Sequence, residues 1–252
     1  LLRRPYLRPI EETKMAPDEI EALTFDVFGT VVDWRGGILR EGAALGAKLG
    51  LSVDWGRFAD AWRGRYQPLL SDVREGRRPW VVLDQLHREG LDQVLAEFGI
   101  SGLDPATRED FVRVWHRLDP WPDAVAGLTR LRRRYILATL SNGNVRLTVD
   151  MAKRAGLPWD AVLGAEVARA YKPSPETYQA AARLLDLPPG RCMMVAAHFS
   201  DLAAARAQGF RTCYVWRRDE WGTGEKHDLP ADHGLDLVVE DFADLADRLG
   251  CY

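Results

Sequence analysis

Apolar and polar positions along the chain fall into two textures. EALTFDV (21–27) reads as a short strand that runs straight into the turn FGT. After Asp33 the spacing turns helical: Phe58, Trp62, Tyr66, Leu69 and Val73 recur every three or four residues. So do Leu91, Val94, Leu95 and Phe98, and then Phe111, Val114 or Trp115, and Leu118. RRPW (77–80) and GISGLDP (99–105) punctuate these runs. Residues 36–118 therefore read as all-helical. DPWPDA (119–124) closes the block, since Pro120 and Pro122 do not fit inside a helix. Beyond it, the apolar runs YILATL (135–140), CMMVAA (192–197), RTCYVW (211–216) and DLVV (236–239) read as strands, with helical spacing around 175–185 and 201–209. Short apolar strands alternating with helices predict a parallel sheet covered on both faces. Residues 20–35 supply one more such strand. The expected fold is an α/β core interrupted by a helical insertion.

Composition narrows the class. The 252 residues carry a net charge of −3, with 46% hydrophobic and 28% charged positions, enough apolar mass for a sizeable core. A near-neutral balance lacks the basic footprint of a nucleic-acid binder. No apolar run reaches the roughly 18 residues of a membrane span. Cys192, Cys213 and Cys251 are too few and scattered for a disulfide framework or zinc site, so a reducing, cytoplasmic setting is expected. Residues 1–17, with Pro5, Pro9 and Pro17, lack the apolar stretch of a secretory signal and read as a leader or disordered tail, with Met15 a candidate start. His87, His116, His227 and His233 show no metal-ligand spacing and read as surface residues. Trp34, Trp62, Trp80 and Trp115 read mainly as core anchors, one or two of them walling a cavity.

Candidate chemistry collects at strand ends, where open parallel sheets bind ligands. Asp26 and Thr30, Ser141 and Asn142, and Asp201 lie at or near such ends, with Lys172 nearby. Each taken alone has a plain reading as a helix cap or turn former. Their coincidence in one chain favours a site. FDVFGT (25–30), LSNG (140–143), YKPSPETY (171–178) and MVAAHFSD (194–201), in this order and with a helical insertion behind the first, resemble the four motifs of the haloacid dehalogenase superfamily. Within it, they resemble the type II L-2-haloacid dehalogenases. The resemblance implies a Rossmann-like core (18–35 and 119–252) with an inserted helical cap (36–118).

Phe28 decides the branch. Superfamily phosphatases have a second aspartate there, two after the nucleophile, to protonate the leaving oxygen. Phenylalanine transfers no proton. A halide leaves without one, so carbon–halogen cleavage that needs neither metal nor cofactor is expected, with a phosphatase or a non-catalytic carboxylate binder as alternatives. The resemblance makes Asp26 the nucleophile that forms an aspartyl ester on a short 2-haloalkanoic acid, and Lys172 the residue that holds it. Asp201 would orient Lys172 and water. Arg63 would receive the halide together with Asn142, with Arg65 as the competitor. Thr30 and Ser141 would bond the nucleophile or the substrate carboxylate, and Phe28 and Tyr178 would line the site. AAHFSD (196–201) departs from the family's S-S-N-x-F-D: Ala196 replaces a serine, His198 an asparagine and Ser200 a phenylalanine. His198 is either a general base, with an unperturbed pKa of about 6.5, or a turn histidine. A reshaped halide pocket would admit a smaller halide, fluoride included. A small haloacid is the only partner implied, with no nucleic acid and no membrane; a homodimer, common among relatives, is left open.

Overall fold

The computed structural model describes residues 19–222, 230 and 233–252, so the leader (1–17) and His227 lie outside the described residues. In chain order the elements are β1 (Ala22–Phe25), β2 (Val32–Asp33), α1 (Trp34–Leu49), α2 (Trp55–Arg74), α3 (Leu83–Glu97), α4 (Pro105–Val112) and, after a 3-10 turn at Arg113–His116, β3 (Asp119–Pro120). There follow α5 (Ala124–Leu131), β4 (Ile136–Ser141), α6 (Val145–Ala155), β5 (Ala161–Gly164), α7 (Ala165–Ala168) and α8 (Pro175–Leu184). The chain ends through β6 (Cys192–Ala196), α9 (Phe199–Ala207), β7 (Arg211–Val215), β8 (Leu237–Val239) and α10 (Phe242–Arg248).

Six parallel strands form one sheet in the order β5-β4-β1-β6-β7-β8. The alternation of strand side chains explains its burial on both faces. Along β6, Met193 and Val195 enter one apolar cluster with Leu23, Phe25, Leu128 and Phe242. Cys192, Met194 and Ala196 enter the other, with Ala22, Tyr178 and Leu202. The expected α/β class holds. The sequence reading missed two features: β5, a four-residue edge strand, and the antiparallel pair β2–β3, in which Pro120 faces Val32.

The helices between β2 and β3 continue the first cluster. α2 is capped by Asp54, whose side chain accepts from the Arg57 N–H at 3.0 Å, and it buries Phe58, Trp62, Leu69 and Leu70 on one stripe. Burying each such side chain contributes roughly 1.5–3 kcal/mol. Pro68 sits inside α2, so proline did not break this helix as it ended the block at 119–124.

Two histidines expected at the surface are buried. His87 is 4% exposed because it continues the inner stripe of α3 (Leu83, Leu86, Leu91), and its ring stacks on Trp115 at 4.1 Å. Burial pushes its pKa down to about 3, so the imidazole is neutral. His116 is buried between Asp84 of α3, at 3.1 Å, and Asp150 of α6, at 3.0 Å, and so ties the helical block to the sheet domain. Burial opposes its charge, but the two carboxylates win and raise its pKa. His233 is half-buried, with Nδ1 accepting the Leu235 N–H.

Candidate active site

The central position of β1 converts sequence order into a site. Its neighbours are β4 and β6, with Phe25 opposite Thr139 on one side and Val195 on the other. The residues just past these three carboxyl ends therefore converge: Asp26 after β1, Ser141 and Asn142 at the end of β4, and His198 after β6.

Asp26 is 6% exposed and saturated with donors. Lys172 Nζ donates to Oδ1 at 3.0 Å, Thr30 Oγ1 donates to Oδ2 at 2.8 Å, and His198 Nδ1 lies 3.1 Å from Oδ2. Burial by itself would raise the Asp26 pKa; the charges of Lys172 and His198 and their hydrogen bonds overcome it and hold this carboxyl far below the usual range. Asp26 is thus an ionised carboxylate kept from water. Thr30 also accepts from the Ala197 N–H at 2.9 Å, which fixes the turn after β1 to the turn after β6.

Lys172 is itself buried, which disfavours its charge, but Asp201 and Asp26 raise its pKa well above the ordinary lysine value. Asp201, in the first turn of α9, takes the ammonium on Oδ2 and accepts the Tyr178 hydroxyl on Oδ1 at 2.6 Å. Burial raises the Asp201 pKa against the pull of Lys172, and Asp26 pushes it up further. The two carboxylates therefore differ in kind: Asp26 is the readily ionised one.

Asn142 works as a brace. Its Oδ1 accepts the Lys172 backbone N–H at 2.8 Å, and its Nδ2 donates to the Tyr66 hydroxyl at 2.9 Å. Ser141 Oγ accepts the Gly143 N–H at 3.0 Å and shows no bond to Asp26. From α2, Arg63 lies over the Tyr66 ring at 4.3 Å and the Trp34 ring at 5.4 Å, and its buried Nη1 has no hydrogen-bond partner among the described residues. Arg65, its competitor in the sequence reading, pairs with Glu97 on the outside.

A cavity of about 580 Å³ between α2 and the strand ends is lined by Asp26, Arg63, Asn142, Lys172, Tyr178, His198 and Asp201, together with Tyr66, Arg74 and Ser200. Seven of the ten residues singled out from sequence thus share one cavity. Thr30 and Ser141 stand behind it, and Phe28 packs edge-on against Trp115 at 5.7 Å and His87 at 6.2 Å instead of lining it. The sequence reading missed Tyr66 and Arg74 as site residues, although they sit three and eleven positions after Arg63 and so share its helix face. Arg74 Nη1 donates to the Lys172 carbonyl at 3.1 Å. Nothing local in the sequence marked Glu220, whose carboxylate reaches His198 Nε2 at 2.9 Å.

His198 does not keep its ordinary pKa. Burial would lower it, but Glu220 on one side and Asp26 on the other push it up to about 10. In the resting site it is an imidazolium. The cavity thus sets Arg63, Arg74, Lys172 and His198 around the ionised Asp26 carboxylate, a field suited to an anionic ligand. Two opposite unit charges about 4 Å apart attract by roughly 4 kcal/mol at an effective dielectric of 20.

A parallel-sheet core with an aspartate at the end of its central strand, a lysine beside it and helices inserted behind the first motif is the ground plan of a known hydrolase class. Residues 20–209 match the haloacid dehalogenase-like hydrolases, and the chain belongs to that family. It is 30% identical over 220 residues to (S)-2-haloacid dehalogenase 1 of Pseudomonas sp. (strain CBS-3), covering 79% of this chain and 86% of that one. Among solved structures, it resembles the defluorinating L-2-haloacid dehalogenase Rha0230 at 46% identity and a TM-score of 0.89, over 92% of this chain and 95% of that one. It also resembles the L-2-haloacid dehalogenase PA0810, at 45% identity and a TM-score of 0.86, over 91% and 99%. Among the described residues, no helix is long and apolar enough to cross a membrane.

Proposed function

We propose that this enzyme hydrolyses the carbon–halogen bond of short 2-haloalkanoic acids, fluoroacetate included, through an ester on Asp26. The observation that carries the reading is an ionised carboxylate, buried and held by Lys172, Thr30 and His198, beside a phenylalanine where a phosphatase would keep its acid. One Asp26 oxygen attacks C2, the carbon–halogen bond breaks, and halide departs with the bonding electrons. The helices inserted between β2 and β3 act as a cap that brings Arg63 over the cavity. Arg63 then meets the anion at a guanidinium nitrogen that has no acceptor among the described residues, with Asn142 beside it. Behind the cavity wall His87 stacks on Tyr66 at 6.4 Å, and among the described residues its buried ring nitrogens have no hydrogen-bond partner. The free Arg63 donor beside Asn142 suits a small halide, and the resemblance to a defluorinating relative points the same way. Water then attacks the ester carbonyl near His198 and frees the 2-hydroxy acid.

Incubation with L-2-chloropropionate, chloroacetate and fluoroacetate in buffer containing EDTA is expected to release halide from all three. Release from none, with turnover of phosphate esters once magnesium is added, would replace this reading with a phosphatase.

A further inference from the structure

Glu220 is buried at 4% exposure in the segment after β7, and three elements converge on its carboxylate. Trp34 Nε1, at the start of α1, donates to Oε1 at 3.1 Å. His198 Nε2 lies 2.9 Å from Oε1 and 3.1 Å from Oε2. Gly29, with φ of +88°, leaves the space: a Cβ there would come within 2.1 Å of Oε1. A carboxylate taken out of water this completely is destabilising unless it is paired, and the imidazole is the charged partner it touches.

We propose that Glu220 is a positioning residue that makes His198 an ordered switch: acid while Asp26 is a carboxylate, base once Asp26 has become an ester. The inference rests on the aspartyl-ester reading above. Both ring nitrogens of His198 face carboxylates, Nδ1 that of Asp26 and Nε2 that of Glu220. Only the doubly protonated ring satisfies both, because a neutral ring would aim a lone pair at one of them. Among the described residues, the other charges lining the cavity with the ring are Lys172 and Asp201 beyond Asp26, and Arg63 and Arg74 across it. None of these four has a hydrogen bond to the imidazole: Lys172 bonds Asp26 and Asp201, and Arg74 bonds the Lys172 carbonyl.

Ester formation consumes the Asp26 charge. Nδ1–H then loses its ionic acceptor while Glu220 keeps Nε2–H, and the Nδ1 proton passes to solvent through the quarter-exposed side chain. Neutral His198 now takes a proton from the attacking water. The tetrahedral adduct collapses with cleavage of the bond between Asp26 Cγ and the ester oxygen. The departing alkoxide is protonated by His198, and the Asp26 carboxylic acid returns its own proton to the ring. The balance is haloacid plus water giving hydroxy acid, halide and one proton, and that proton is the one shed at ester formation. A histidine that was a free base throughout would compete for water before any ester existed; here the nucleophile itself keeps the base switched off.

The test is single-turnover reaction of wild type and Glu220→Gln with L-2-chloropropionate, following halide, protons by indicator dye, and the mass of the Asp26 peptide. General-base catalysis contributes about 10²–10⁴-fold. Glu220→Gln is therefore expected to release one halide per active site within about threefold of the wild-type rate, and then to hold the ester with hydrolysis slowed at least about 100-fold. Hydrolysis of the ester at the wild-type rate would overturn the proposal, as would equal loss of halide release and hydrolysis, which marks a merely structural role. Wild type provides a check that needs no variant: one proton is expected with the halide, ahead of the hydroxy acid, and a proton appearing only with the hydroxy acid contradicts the switch. Failure of wild type to release halide from any haloacid would instead remove the underlying dehalogenase reading.

Discussion

Asp26→Asn is expected to reduce halide release by at least about 10⁴-fold, the scale on which covalent enzymes fail when their nucleophile is removed. The amide has the shape of the carboxylate but little nucleophilicity, and it cannot carry the charge that Lys172 and His198 are arranged to stabilise. Binding behaves differently. The cationic side of the cavity (Arg63, Arg74, Lys172) is untouched, so a 2-haloacid is expected to bind within about tenfold of wild type by calorimetry. Residual activity above about a tenth of wild type would mean that another group attacks the substrate. Wild type that binds haloacids without turning them over would be a carboxylate-binding protein.

Lys172→Met carries the second large effect, and it acts on both stability and rate. The ammonium is buried between Asp26 at 3.0 Å and Asp201, and its removal leaves two carboxylates facing each other out of water. Breaking a buried pair in this way costs about 3–5 kcal/mol. Asp201, whose pKa is already raised by burial, takes up a proton and keeps the loss near the lower figure. Urea unfolding at pH 7 is expected to show a loss of about 3 kcal/mol, and kcat/KM to fall roughly 10³-fold, by analogy with the loss of one strong electrostatic partner of a reacting group.

The pH dependence of Lys172→Met has a defined sign. In wild type the Asp26 pKa is depressed in the folded state, so its contribution to stability is complete above the unfolded value of about 3.9 and fades as pH falls toward the lower folded value. Without Lys172, burial is opposed by fewer charges, the pKa rises, and the acid limb of the rate profile moves to higher pH. An acid limb that stays in place, with unchanged urea stability, would show that Lys172 is not the counter-charge of Asp26.

The legible parts of this molecule were those in which sequence neighbours act together. FDVFGT places Asp26 and Thr30 on one turn, and the apolar runs of β1, β4 and β6 stand out because strands buried on both faces carry almost no polar residues. Three parallel strand ends then gather Asp26, Asn142 and His198 with no further information. β5 escaped because AVLG is a short, half-buried edge strand without such a run. His87 was misread for want of metal spacing, although its four-residue intervals from Leu83 and to Leu91 place it on a buried stripe. Glu220 was out of reach. Its partners Gly29, Trp34 and His198 are separated from it by up to 191 positions, and only tertiary folding brings the loop after β7 over the turn after β1. The pKa of His198 was illegible for the same reason: the second carboxylate that raises it is that glutamate.

The covalent role of Asp26 is tested most directly by one turnover, with enzyme in excess, in water enriched in oxygen-18. Attack of water on an Asp26 ester leaves the label in the Asp26 carboxylate and an unlabelled hydroxyl on the product, so mass spectrometry of the peptide spanning residues 22–30 is expected to show a gain of one heavy oxygen. Label found only in the 2-hydroxy acid would mean that water attacks the substrate carbon itself, and that Asp26 never bonds to it.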